Sequence, residues 1–160
     1  YLKIAEEPAD LSEADVKAAM KNGQVTVGMH AFLDFQDGKA AGDTITASAG
    51  DVPFAVRVQT PEWSEITKLF VVVNGAIVQT LDRTGTNGND FDDVINVPIT
   101  EDSWVTFFAW GPRLQLSADY NGVAIAFNNP VFVDIGGDGW TAPGMRTLDL
   151  DGINVDGWCD

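Results

Sequence analysis

The chain has 160 residues, of which 24 are acidic and nine are basic, and its formal net charge is -15. A chain of this length with 45% hydrophobic residues can bury its own core, which excludes a disordered protein and favours a single domain. Because so acidic a surface repels phosphate groups, we expect no binding to nucleic acid. The sequence holds no apolar run of about 18 residues, so we expect no membrane span.

The first local signal along the chain indicates a helix. Ser12 and Asp15 have the spacing of a capping box, in which each side chain accepts a hydrogen bond from the other residue's backbone N–H. Asn22 and Gly23 form a stop signal, because glycine readily adopts the left-handed conformation that ends a helix. We therefore predict a helix over residues 13–22.

After this helix, apolar residues recur at every second position, which predicts strands. Asn74-Gly75 is a strong hairpin signal, and residues 83–93 are predicted to form a polar loop. The predicted strands cover residues 25–29, 31–35, 44–49, 54–59, 68–73, 76–81, 94–99, 104–110, 124–127 and 130–134. Short strands separated by turns predict a mainly β fold, an antiparallel β-sandwich of immunoglobulin-like or jelly-roll-like type, with one N-terminal α-helix.

The predicted elements divide the chain into three parts. Residues 1–23 hold the helix, residues 24–144 form the β-sandwich, and residues 145–160 are an acidic C-terminal tail. The chain begins at Tyr1 and not at a methionine, so we expect it to be a piece of a longer protein. The single cysteine, Cys159, fits a reducing compartment and equally fits exported bacterial proteins without disulfides. Of the two, we favour a periplasmic or extracellular location.

Few residues are suited to catalysis. His30 is the only histidine, so the chain cannot supply a zinc site with several histidine ligands. It lies among apolar residues, which favours a hydrogen-bonded strand histidine over a metal ligand or a general base. Cys159 has no neighbouring residue in sequence that would activate its thiol. We therefore expect this segment alone not to be an enzyme.

Acidic clusters are the best candidates for a metal site, because calcium prefers six to eight oxygen ligands and Asp or Asn residues in Gly-rich turns supply several of them. The candidate calcium ligands are Asp149, Asp151 and Asp156 in the tail and Asp134 and Asp138 around a glycine turn. A third acidic segment, residues 87–93, lies in the predicted loop. None of them has the full EF-hand spacing, and solvated acidic turns are the alternative interpretation.

Tryptophans offer a second kind of site, because an exposed indole can stack on a sugar ring. Trp140 and Trp158 lie in Gly- and Asp-rich segments and are the candidates for carbohydrate binding, with roles in the core or over a sheet edge as the alternative. Trp104 and Trp110 share one side of a predicted strand, and we expect both to lie in the core.

Several segments, taken in order, resemble the C-terminal part of bacterial PHP-type metallohydrolases of the carbaryl-hydrolase-like (CehA/McbA) family. The resemblance spans about residues 1–144 and is found in LSEADV (11–16), KNGQVTV (21–27), AGDT (41–44), NG (74–75), DSWV (102–105) and AFNNPVFVD (126–134). It implies a catalytic barrel upstream of Tyr1, whose His, Asp and Glu residues bind divalent metals. None of those ligands maps onto this chain. Residues 28–31 depart from the family's Ser-Asn-Gly-Pro, so the contact with the barrel is expected to differ.

The leading hypothesis is therefore a non-catalytic accessory domain of a metal-dependent hydrolase. Residues 1–23 would link to the catalytic domain, and the sandwich would cover the barrel and shape substrate access. The alternative is a calcium-dependent carbohydrate- or surface-binding module built on the acidic clusters with Trp140 and Trp158. A third hypothesis is a spacer or assembly domain.

Overall fold

The computed structural model describes residues 1–4, 9–83, 89–117 and 120–144, with residues 89–90, 113–117 and 120–121 described by their backbone alone. Within these ranges the elements are α1 (Glu13–Lys21), β1 (Thr26–Met29), β2 (Phe32–Phe35), β3 (Thr44–Ala47), β4 (Gly50–Gln59), β5 (Lys68–Val73), β6 (Ala76–Asp82), β7 (Asn89–Ile99), β8 (Ser103–Ser117), β9 (Tyr120–Asn128) and β10 (Val131–Ile135). The prediction of a mainly β sandwich with one N-terminal helix is confirmed. In the described ranges, no helix has the length and apolar character that a bilayer crossing requires.

The predicted capping box begins helix α1. The Ser12 hydroxyl accepts a hydrogen bond from the Asp15 backbone N–H, and the Asp15 carboxylate accepts one from the Ser12 backbone N–H at 2.8 Å. The hydrogen bond from the Ser12 hydroxyl, followed by that from its backbone, lowers the pKa of Asp15. The helix ends at Lys21, one residue earlier than predicted, with Asn22 as its C-cap and Gly23 at a φ of 71°.

The larger sheet has seven strands arranged around β8, the longest one. On one side β8 pairs with β5, which pairs in turn with β6 through the predicted Asn74-Gly75 hairpin. On its other side β8 pairs with β10 near its start and with β9 further along, and β3 and β1 lie beyond them. The pair of β3 and β10 is parallel, so this sheet is mixed and not antiparallel throughout.

The Asn-Asn-Pro segment separates β9 from β10 along the same edge of β8. Asn128 is 1% exposed, and its Oδ1 accepts a hydrogen bond of 2.8 Å from the Phe107 backbone N–H. Asn129 donates from its side-chain amide to the Gly23 carbonyl oxygen, which ties the end of α1 to this point. Pro130 has no N–H to continue a ladder. The segment therefore closes the gap between two strands and has a structural role.

The smaller sheet, β2-β4-β7, is antiparallel and packs its inner face on the inner face of the larger sheet. The rings of Phe35, Phe54 and Phe107 join the two sheets, with centroids 5.7 Å apart for Phe35 and Phe107 and 5.4 Å for Phe54 and Phe107. All three side chains are almost completely buried. This contact lies between the sheets, as a sandwich requires.

The predicted loop over residues 83–93 is too long, because β7 already begins at Asn89. Phe91 is 1% exposed and pairs with Val58 on β4, and Asp93 follows two positions later. Arg83 forms an ion pair with Asp93 and lies over the Phe91 ring. A neutralising partner thus allows an acidic residue on the inner side of the strand, and the sequence pattern alone does not show that partner.

Candidate functional site

The two outer faces of the sandwich differ in composition. On the outer face of the smaller sheet, Asp34, Arg57 and Asp92 lie side by side on β2, β4 and β7. The Arg57 guanidinium lies 3.9 Å from the Asp34 carboxylate. Val94, which is 63% exposed, and Asn96 follow on β7. Apart from Val94, this composition is that of a face in contact with water.

The outer face of the larger sheet is apolar. Its strands alternate, so that Leu69, Phe107 and Ala126 point into the core while their neighbours point outward. The outward neighbours form two rows that cross the sheet at paired register positions. We call the following set the aromatic face: Val27, Phe127, Phe108 and Phe70 in one row, and Met29, Ile125 and Trp110 in the other.

The rings of the aromatic face contact one another. Phe108 lies at the centre, with its ring centroid 6.0 Å from Phe127, 6.2 Å from Trp110 and 6.1 Å from Phe70. Phe70 is 4% exposed, whereas the other three aromatic residues are half-buried. Val27 and Met29, on the outermost of these strands, are 45% and 37% exposed. The face is therefore a continuous apolar surface that is partly open.

The exposure of the aromatic face falls along its first row, from 45% at Val27 to 4% at Phe70. The ten strands of the described ranges all belong to the two sheets. Helix α1 lies to the side, where Asp15 and Ala18 border a cleft shared with Lys3 and Asp43. A solvated antiparallel sheet carries polar residues on its outer face, so a face of this composition indicates a surface that another surface covers.

Trp104 and Trp110 lie outside the core, contrary to the prediction. They share one side of β8, as the sequence predicts, but that side faces outward. The core-facing positions of this strand are Val105, Phe107 and Ala109. Because both sides of β8 are apolar, alternation alone cannot tell which side is inside.

Trp140 covers the far end of the same outer face. Its ring contacts Phe132 edge-on at a centroid distance of 4.7 Å, and its Nε1 donates to the Ser103 carbonyl oxygen at 3.0 Å. Trp140 therefore lies against two inner strands of the larger sheet, since β10 lies between β8 and β3, and not over an edge strand. Trp158, the other candidate for carbohydrate binding, lies outside the described residues.

Asp134 holds the glycine turn that follows β10. It is 6% exposed, and its two carboxylate oxygens accept hydrogen bonds from the backbone N–H groups of Gly137 and Gly139, each at 3.1 Å. Asp102 acts in a similar way, because its carboxylate accepts from the Ile135 and Thr141 backbone N–H groups. These contacts give both carboxylates a structural role in the turn.

The remaining candidate calcium ligands do not assemble into a site among the described residues. Asp138 is exposed in the turn, and the described ranges contain no cluster of three His, Cys, Asp or Glu residues. Asp149, Asp151 and Asp156 lie outside those ranges, as does Cys159. In the acidic segment 87–93, Asp92 lies opposite Arg57 and Asp93 pairs with Arg83. Calcium binding stays a prediction.

His30 is not the hydrogen-bonded strand histidine that the sequence suggests. It lies between β1 and β2 with a φ of 59°, in the left-handed region. Its Nε2 is buried and has no hydrogen-bond partner among the described residues. Its ring contacts Trp63 edge-on at 5.1 Å, and Trp63 is itself 56% exposed. Trp63 is thus an exposed indole, whereas the sequence pattern points to Trp140 and Trp158.

A cleft of about 240 Å³ lies between the N-terminal segment and β2. Two of its polar groups have structural partners: the Lys3 ammonium donates to the Lys39 carbonyl oxygen, and the Tyr1 backbone pairs with Thr26. The Asp43 carboxylate nearby accepts from the Ala40 backbone N–H. These contacts give Tyr1, Lys3 and Asp43 structural roles at the cleft.

Comparison of the chain with protein-family models, with curated proteins and with solved structures gives no match. The family resemblance therefore stays a prediction. The structural feature that points to function is the aromatic face.

Proposed function

We propose that this chain is a non-catalytic accessory domain of a metal-dependent hydrolase. It would pack on the catalytic domain, cover part of its barrel and shape the access of substrate. The resemblance to PHP-type metallohydrolases supplies the kind of catalytic domain, whose divalent metals would be bound by residues outside this chain. The parent's substrate is not part of the proposal.

The aromatic face is the observation that supports this proposal. Val27 and Met29 are exposed on one outer face of the sandwich, next to the rings of Phe108 and Phe127. The opposite outer face carries Asp34 and Arg57 side by side. A domain that works alone has no need of this asymmetry, whereas a domain that packs on a larger partner buries its apolar side.

The first test concerns catalysis by the chain itself. We expect the purified chain to hydrolyse neither p-nitrophenyl acetate nor p-nitrophenyl phosphate in the presence of Zn²⁺ or Mn²⁺. Turnover that the substitution His30→Ala abolishes would overturn the proposal, because His30 is the only histidine that could act as a base.

The second test uses the full-length protein that contains this sequence. The double substitution Val27→Ser with Met29→Gln should weaken the contact between this domain and the catalytic domain. We expect this to appear as faster proteolysis of the chain between the two domains and as a changed KM for hydrolysis by the full-length protein. Val94→Ser on the opposite face is the matched control, since Val94 is even more exposed at 63%. Equal behaviour of the two variants would contradict docking through this face.

A carbohydrate-binding module is the second candidate, and the exposed indole of Trp63 favours it. Calorimetry with calcium and then with soluble polysaccharides tests it. Heat of binding that disappears in Trp63→Ala would support this function. If millimolar calcium gives no heat of binding, does not change the heat of polysaccharide binding and leaves the melting temperature unchanged, the calcium-dependent form of the hypothesis is wrong.

A further inference from the structure

We infer that Gln79 protects the free edge of β7 against pairing with a strand from a second copy of this chain. This protection does not depend on the proposed function. Strands β6 and β7 lie on the same side of the sandwich, where Gln79 contacts Asn96 and Arg83 pairs with Asp93. Among the described strands, β6 pairs only with β5 and β7 only with β4. Each of the two strands therefore has one free edge, which another strand could join.

Two prolines show which backbone groups of β7 point toward its free edge. Pro53 on β4 lies opposite Asn96, and Pro98 on β7 lies opposite Asp51. A hydrogen-bonded pair in an antiparallel ladder needs an N–H from both residues, and proline has none. These two pairs must therefore be of the non-hydrogen-bonded kind. Since the two kinds of pair alternate, the backbone groups of Val94, Asn96 and Pro98 point away from β4, toward the free edge.

The Gln79 side chain occupies one of these edge groups. Gln79 lies opposite Val71, a core residue, so its side chain points inward, toward the smaller sheet. Its Nε2 donates to the Asn96 carbonyl oxygen at 2.7 Å. Pro98, at the next edge-facing position, has no N–H to donate. A strand that approaches the edge of β7 thus meets one acceptor that is already bonded and one position without a donor.

The neighbouring edge of β6 is interrupted by a bulge. Gln79 and Ile77 lie opposite consecutive residues of β5, so Val78 between them has no opposite residue. A bulge of this kind disrupts the regular pairing that an edge strand otherwise offers. Exposed apolar side chains give a reason for protecting both edges, because Val78 is 42% exposed and Val94 is 63% exposed. The net charge of -15 also opposes contact between two copies, so pairing is best measured in high salt.

The experiment measures self-association by sedimentation at increasing protein concentration in about 0.5 M salt, which screens charges more than a few Å apart. Gln79→Ala removes the donor, and Gln79→Met removes it while keeping the length of the side chain. Gln36→Ala is the matched control, because Gln36 donates to the Asp34 side chain and not to a strand backbone. We expect both Gln79 variants to dimerise at least about tenfold more tightly than the native chain, because each copy contributes one freed carbonyl, and the control to behave as the native chain does.

Hydrogen exchange followed by NMR locates the contact between the copies. In the native chain, we expect the edge-facing amides of Val94 and Asn96 to exchange faster than the amide of Ile95, which bonds to β4. In the dimer of Gln79→Ala, the Val94 and Asn96 amides should become protected. Adding Asn96→Pro to Gln79→Ala should abolish the dimer, because it removes an edge-facing N–H and no bond to β4. Circular dichroism confirms that each variant is folded.

Each other result overturns the inference. If both folded Gln79 variants stay monomeric at every concentration, Gln79 does not protect the edge. If Gln36→Ala dimerises equally, the effect is not specific to the contact between Gln79 and Asn96. If dimers form while the Val94 and Asn96 amides stay unprotected, or if Asn96→Pro leaves the dimer intact, the copies pair elsewhere. Equal exchange of the Val94 and Ile95 amides in the native chain contradicts the assignment of the free edge.

Discussion

Asp134 allows a direct test of whether the glycine turn is a metal site or a structural element. We consider the substitution Asp134→Ala, which removes the acceptor of two hydrogen bonds from Gly137 and Gly139. The carboxylate is 6% exposed, whereas the two glycines are exposed. After the substitution, water can reach the freed N–H groups, but the turn is no longer hydrogen-bonded to the side chain at the end of β10.

The magnitude follows from these contacts. A hydrogen bond to a charged group contributes about 1.5–3 kcal/mol, and access of water to the donors favours the lower end of this range. Two bonds then contribute about 3 kcal/mol to the free energy of unfolding. In a domain of this size, 1 kcal/mol shifts Tm by about 2–4 °C, so Asp134→Ala should lower Tm by about 6–12 °C. Asp138→Ala in the same turn is the control and should leave Tm unchanged, because its side chain is exposed.

Thermal unfolding of both variants is measured with EDTA and with millimolar calcium. Because both oxygens of Asp134 already accept from the backbone, we expect the loss of stability to be the same in the two conditions. A calcium ion at this site would instead stabilise the native chain, by about 2.7 kcal/mol at a hundred times its Kd. A Tm difference between native chain and variant that grows in calcium would refute the structural assignment.

Three further predictions concern polar contacts in the fold. Asn128→Ala should destabilise the chain by about 1–3 kcal/mol in urea unfolding, because it leaves the buried Phe107 N–H without an acceptor. Asn74→Ala should cost more than Asn74→Gly, because position 74 has a φ of 51° that glycine adopts freely. Burial raises the pKa of Asp37, but hydrogen bonds from the Ala55 N–H, the Lys39 ammonium and the Lys39 N–H outweigh it and lower the pKa. The ionised Asp37 carboxylate therefore stabilises the fold fully above its unfolded pKa of 3.8, and this stabilisation is lost as the pH falls through the lower folded pKa. When the free energy of unfolding is measured against pH, Asp37→Asn should abolish this loss.

Features set by neighbouring residues could be predicted from the sequence. The capping box of Ser12 and Asp15 needs only a spacing of three residues, and the hairpin at Asn74-Gly75 needs only two residues that tolerate a positive φ. Both lie in the structure where the sequence places them. Their determinants are local, so no knowledge of the rest of the fold is required.

Features set by distant partners could not be predicted. The early start of β7 depends on Arg83, which follows β6 and neutralises Asp93. The pairing of β8 with both β9 and β10 depends on the buried amide of Asn128. In each case the deciding contact joins residues that the sequence separates by ten positions or more.

The arrangement of apolar residues in β8 and β9 favours a covered outer face over a free-standing sandwich. Three core-facing positions in these strands are small residues, Ala109, Ala124 and Ala126, whereas the outward neighbours include Trp110 and Phe127. Burial of apolar area contributes about 25 cal/mol per Å², so covering about 400 Å² of this face would contribute about 10 kcal/mol. Association costs about 4–15 kcal/mol, which leaves little net affinity for a free partner. Attachment to the same chain reduces that cost, because the partner is then held at a high effective concentration. An apolar face of this size therefore suits a tethered neighbouring domain better than a partner that must be captured from solution.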